Sequence, residues 1–101
     1  MATVKVSLLA RLRARPGKEE EVAALLTGAL PLAEAEPRTV EWFAFRLSKD
    51  EFGIYDTFAD DAGRRAHLEG RIAAALMAKA DELLAEPPRI EQADVLAAKM
   101  G

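Results

Sequence analysis

The first strand of this chain is written in alternation. Val4, Val6, Leu8, Ala10, Leu12 and Ala14 fall on one side of an extended backbone, and Lys5, Ser7, Leu9, Arg11 and Arg13 on the other. That period of two predicts a β-strand over residues 3–14 with one well-buried face. Arg15-Pro16-Gly17 closes it with a turn. A helical period follows. Glu19, Glu20 and Glu21 occupy the first turn, where carboxylates complement the positive end of the helix dipole, and Val22, Leu25, Leu26, Ala29 and Leu30 form the apolar stripe. Pro31 kinks or divides this helix, Leu32–Glu36 adds one more turn, and Glu36-Pro37 stops it.

Residues 39–47 predict a second strand that is apolar on both faces. Val40, Trp42 and Ala44 lie on one side, and Phe43, Phe45 and Leu47 on the other. The polar link Ser48–Glu51 leads to a third strand over residues 52–59, so the pair reads as a hairpin. Phe52, Ile54 and Phe58 share one face of this strand, with Tyr55 on the other. Asp60 or Asp61 caps a short helix over residues 62–69, and Gly70 interrupts it. A longer helix over residues 71–85 carries Ile72, Leu76, Ala80, Leu83 and Leu84 inward, and Pro87-Pro88 ends it. A last strand spans residues 89–99.

The order β-α-β-β-α-α-β predicts an α+β ferredoxin-like fold, a four-stranded antiparallel sheet with helices on one face. The other face then carries Phe43, Phe45, Leu47 and Tyr55, more apolar surface than a soluble monomer tolerates. A second copy packed sheet to sheet, a homodimer, is the expected remedy.

Composition narrows the picture. The 101 residues, half of them apolar and 31% charged, make a single domain over 1–101. The net charge is −3 with no basic stripe, so nucleic acid is not an expected partner. Cysteine is absent, which removes disulfides, thiolate nucleophiles and Cys-based zinc sites and suits a reducing cytoplasm. No apolar run approaches ~18 residues, so no membrane span is expected.

Chemistry-bearing residues are concentrated between Trp42 and His67. All six aromatic residues lie there, and the only histidine closes the stretch. Further resemblance is carried by the first strand running into Arg15-Pro16-Gly17-Lys18, by Leu32-Ala33-Glu34-Ala35-Glu36-Pro37, by Phe52-Gly53-Ile54-Tyr55-Asp56-Thr57-Phe58 and by the block from Asp60 to His67-Leu68. Over nearly its whole length the chain resembles the antibiotic-biosynthesis-monooxygenase domain family of the dimeric ferredoxin-like superfamily. That resemblance implies a β-barrel-like dimer with a pocket between sheet and helices. It implies either a cofactor-free monooxygenase acting on aromatic polyketides or quinols, a haem-degrading relative, or a member without known activity. The polyketide and haem branches place an Asn on the first strand and a Trp in the short helix, and the haem branch adds a His ligand one helix later. Here those positions hold Ala10, His67 and Met77, so haem degradation and the Asn/Trp-assisted route are not carried over.

His67 is thus the candidate base, able to take a proton from a phenol or quinol that then reacts with O₂. The structural alternative is a half-buried helix residue bonded to a backbone carbonyl, Asp56 or Asp60. Tyr55 is the second candidate catalytic residue, as a hydrogen-bond donor to a substrate oxygen, or else a dimer-interface tyrosine. Ala10, Trp42, Phe58, Met77 and Arg46 are the candidate pocket residues, with core packing or surface ion pairing as the alternative for each. No ligand spacing accompanies His67, so no metal is expected, and no glycine-rich phosphate loop points to a nucleotide cofactor. The expectation is a cofactor-free oxygenase of a small phenolic or quinol ligand. The alternatives are a non-catalytic small-molecule-binding or structural dimer, and haem binding through His67 without turnover.

Overall fold

The computed structural model describes residues 3–100. The elements are β1 (Val6–Arg13), α1 (Glu19–Gly28), α2 (Leu30–Glu34), β2 (Thr39–Arg46), β3 (Glu51–Phe58), α3 (Asp61–Leu68), α4 (Arg71–Leu83) and β4 (Arg89–Asp94). The strands form one antiparallel sheet in the order β2-β3-β1-β4. This is the α+β ferredoxin-like arrangement that the order of elements predicts.

The alternation along β1 explains why it sits inside the sheet. Leu8, Ala10 and Leu12 stand opposite Asp56, Ile54 and Phe52 of β3, and all six face the helices. Val22 and Leu26 of α1 and Leu76, Ala80 and Leu83 of α4 close over them to form the main core. Burying apolar side chains of this size contributes roughly 1.5–3 kcal/mol each, which is what holds the helices to the sheet. Trp42 packs at the junction of this core with a smaller cluster of Ala29, Ala33 and Ile72.

Several boundaries differ from the sequence reading, each for a local reason. Ala29 separates α1 from α2, with Pro31 in the first turn of the second helix, where its missing N–H costs nothing. The long helix stops at Leu83 because Leu84 turns extended and bridges Ala14. The last strand stops at Asp94 because its only partner, β1, begins opposite it at Val6. Past that point the contact reduces to the Val95 N–H bonded to the Lys5 carbonyl. The turn after β1 needs Gly17, whose φ of 87° is left-handed.

A β-bulge between Thr39 and Glu41 inserts Val40 into β2 as an extra residue. Its effect is to put both Thr39 and Trp42 on the helix-covered face, opposite Phe58 and Asp56. The other face of the sheet is open. Phe43 is 53% exposed and Phe45 36% exposed on it, with Tyr55 beside them. A Cβ built on Gly53 would lie 2.5 Å from the tip of the Phe45 ring, so glycine is what lets that ring lie across the neighbouring strand. Among the described residues, no helix is long and apolar enough to cross a membrane.

Candidate functional site

The site is built where α3 crosses the sheet. Asp60 caps α3 by accepting from the Gly63 N–H at 2.9 Å. One turn on, the buried Arg64 donates to the carbonyls of Ser7 (3.3 Å) and Ala93 (3.2 Å) and to Asp61 Oδ1 (3.0 Å). These bonds fasten the helix to β1 and to the end of β4. His67 follows one turn later and is carried down against β3.

Asp56 meets it there. Period two places this carboxylate on the apolar face of β3, between Ile54 and Phe58, and it is only 2% exposed. A buried carboxylate needs a charged or donor partner. His67 Nε2 supplies it at 2.8 Å from Asp56 Oδ2. On the other side, His67 Nδ1 lies 2.7 Å from Glu36 Oε1. Glu36 sits just past α2, and its Oε1 also accepts from the Thr39 hydroxyl at 2.6 Å. The bulge in β2 is what brings Thr39 within reach. The Phe58 ring, fully buried, lies 5.4 Å from the imidazole at a tilt of 47°.

These contacts set the charge on the ring. Burial opposes protonation of His67, but the hydrogen bond and charge of Asp56, and then those of Glu36, outweigh it. The pKa rises from 6.5 to about 9. At neutral pH the group is therefore an imidazolium bracketed by two carboxylates, with both nitrogens acting as donors.

Two cavities flank this assembly. On the Glu36 side a groove of about 310 Å³ is lined by Leu32, Ala35, Pro37, Ala66 and His67, with Arg38 and Arg71 also contributing. Gly63, Ala66 and His67 of α3 and Gly70 at the start of α4 lie along one wall of the groove, and the three small residues leave His67 as the floor. A Cβ on Gly70 would come within 3.2 Å of Glu36 Oε2, so glycine there makes room for the carboxylate. On the Asp56 side, between sheet and helices, lies a cavity of only about 40 Å³, lined by Ala10, Ile54, Ile72 and Leu76 among others. That is space for about one small molecule the size of water.

The sequence-derived candidates separate. His67 lies at both cavities, Ala10 lines the inner one and Phe58 lies tilted beside His67. Trp42 packs nearby and lines a third depression that shares Glu36 and Thr39 with the groove. Tyr55 is on the opposite face of the sheet, across from Leu9 and Phe43, so the structure does not bring it to His67. Met77 is 58% exposed on α4 rather than forming a pocket wall. Arg46 lies at the far end of β2, bonded to Glu20 at 3.0 Å and to the Lys49 carbonyl, with its guanidinium over Phe52. Glu36, Thr39, Arg38 and Arg71 were not among the candidates. Among the described residues, no group of three or more His, Cys, Asp or Glu side chains is arranged to hold a metal ion.

Fold and site together define a ferredoxin-like domain with a buried carboxylate–imidazolium–carboxylate bridge at the floor of an apolar groove. No family model and no curated protein matches the chain. Among solved structures it is similar to the NE2512 protein of unknown function from Nitrosomonas europaea. The two share 51% identity over 100% of this chain and 98% of that one, at a TM-score of 0.97, and the chain belongs to that protein's family. It is also similar to PA3566 from Pseudomonas aeruginosa, at 21% identity over 96% and 99% of the two chains and a TM-score of 0.80. A structure described as an antibiotic biosynthesis monooxygenase matches at 16% identity over 91% and 99%, with a TM-score of 0.77. The last two likenesses establish the shared fold.

Proposed function

We propose that this chain is a member of the antibiotic-biosynthesis-monooxygenase family that oxidises a small phenol or quinol with O₂, without a cofactor, as a homodimer. The observation that carries this reading is the single histidine at the floor of a mostly apolar groove of about 310 Å³. That volume is within the range of pockets that enclose small organic molecules. Leu32, Ala35, Pro37 and Ala66 would bind the aromatic body.

The acid–base chemistry follows from the pKa. A proton acceptor works best when matched to its donor, and a phenolic hydroxyl has an ordinary pKa near 10. An imidazole whose conjugate acid titrates at about 9 is close to that value. That value belongs to the free protein; when the substrate hydroxyl replaces Glu36 Oε1 and the neutral ring takes its proton at Nδ1, the nitrogen on the groove side, Asp56 is the carboxylate that still holds the imidazolium pKa up. Asp56 keeps Nε2 protonated and the ring oriented. The phenolate is the electron-rich species that reacts with O₂. For a phenol with a free para C–H the balance is phenol plus O₂ giving quinone plus water. The substrate loses two hydrogens and gains one oxygen, the second oxygen atom leaves as water, and all four electrons come from the substrate.

The homodimer rests on the open face of the sheet. Phe43, Phe45 and Leu47 are each at least a third exposed there, and a second sheet would cover them. A second functional reading is a small-molecule-binding or structural dimer without turnover. It is favoured by the two carboxylates, which leave about one His67 in a hundred neutral at pH 7. Incubating the protein with a panel of quinols and naphthols in air and under nitrogen separates the two readings. Protein-dependent loss of substrate only in air supports oxygenation. Binding with no loss in air supports the second reading.

A further inference from the structure

The groove holds two charges that the acid–base assembly does not use. Arg38 and Arg71 both line it and both are exposed. The chain's other arginines mostly have partners. Arg13, Arg46, Arg64 and Arg65 pair with carboxylates, and Arg15 bonds the Asp81 carbonyl. Among the described residues, Arg38 and Arg71 have no side-chain hydrogen bond or ion pair. Glu36, the one carboxylate lining the groove, is already bonded to His67 and Thr39. In a chain of net charge −3, this groove is therefore a local positive site with apolar walls. Guanidinium groups recognise carboxylates through paired N–H donors, and a free pair at the rim of an apolar slot fits a ligand that is apolar in body and anionic at one end.

We propose that the groove selects an aromatic ligand bearing a carboxylate, held at the rim by Arg38 and Arg71 while its ring lies against Leu32, Pro37 and Ala66. This rests on reading the groove as the ligand site, and it narrows the substrate class from phenols in general to hydroxyaromatic acids. The carboxylate also fixes which end of the ligand faces outward, leaving the other end toward His67.

The test is binding, measured by calorimetry and by amide shifts of Ala66 and Gly70, for 1-naphthol against 5-hydroxy-2-naphthoic acid, which carries its carboxylate on the ring away from the hydroxyl. Wild type, Arg38→Gln and Arg71→Gln are compared; both positions are exposed, so neither change touches the core. The acid is expected to bind about tenfold more tightly than the naphthol in wild type at low salt, with each variant losing most of that preference and the naphthol affinity staying within about twofold. Added salt should erode the preference in wild type. Equal affinity for the two compounds, a preference that survives in both variants, or no binding of either at the groove overturns the inference. Oxygen uptake with naphthol and no preference for the acid overturns this inference alone. Arginine-dependent binding of the acid with no uptake from either compound overturns the oxygenase reading alone.

Discussion

His67 Nε2 lies 2.8 Å from Asp56 Oδ2, and this contact joins α3 to the buried face of β3. It supplies the countercharge to a carboxylate that is only 2% exposed. With Glu36 on the opposite nitrogen it raises the imidazole to about 9, against 6.5 in the unfolded chain. A group whose pKa is raised on folding contributes its full stability below the unfolded value and loses it as pH rises through the folded one. The stability at stake is on the order of 3 kcal/mol. Urea midpoints should therefore be flat in this contribution below pH 6.5 and fall between there and about pH 9. A variant lacking the imidazole, His67→Phe, should not show that fall, and a ring titration near 6.5 by NMR would contradict the account.

Removing one partner of the buried pair is predicted to cost more than removing both. His67→Ala leaves Asp56 buried without its countercharge, a loss of about 3–5 kcal/mol. Adding Asp56→Asn to that variant removes the uncompensated charge and should restore part of the loss. Chemical denaturation of the two single variants and the double variant measures this coupling. Additive losses would mean that the 2.8 Å contact carries no energy of its own.

If His67 is the base, kcat should climb with pH. Only the neutral imidazole accepts a proton, so the rate should rise about tenfold per unit from pH 6 to 8 and level near 9. Uncatalysed oxidation of the same substrate, measured in parallel, is subtracted. A protein-dependent rate that peaks near pH 6.5 or ignores pH rules His67 out of this role.

The open sheet face makes a separate prediction. Phe43 is 53% exposed and lies across from Tyr55, and neither approaches the groove. Sedimentation of the wild-type chain should give twice the chain mass. Phe43→Glu should shift it toward the single chain while the fold persists by circular dichroism, because a charge pressed into an apolar interface has no partner. A wild type that sediments as one chain would remove the dimer.

The fold was largely legible because its signals are periodic. The period of two in β1 and β3, Pro31 and Pro87-Pro88 as stops, and the apolar stripe of α4 all appear as elements in nearly the expected places. Boundaries slipped where pairing decides: β4 ends where β1 stops offering partners. The site was half legible. His67 stood out as the lone histidine, and Asp56 was one of three partners weighed for it, beside Asp60 and a backbone carbonyl, in the structural alternative. Asp56 carries its own signal, a carboxylate in the inward series Phe52, Ile54, Asp56, Phe58. Glu36 did not stand out, because a glutamate before proline reads as a helix stop, and only the return of the chain sets it against His67. Thr39 reaches the site through a bulge, which no period reveals. Tyr55 was weighed both as a companion of His67 and as a dimer-interface tyrosine, and the same alternation that points Asp56 inward points Tyr55 outward, away from His67.

The central claim is that the groove above His67 is where a phenolic substrate meets O₂. Ala66 is exposed on the α3 wall of that groove, so Ala66→Phe fills the space without entering the core. The decisive measurement is the rate of oxygen uptake with 1-naphthol and 5-hydroxy-2-naphthoic acid at pH 9, for wild type, Ala66→Phe and a heat-denatured control. The account predicts uptake by wild type above the control, one O₂ per substrate molecule, falling at least about tenfold in a folded Ala66→Phe protein. Uptake no greater than the control, or equal uptake by the blocked variant, would contradict it.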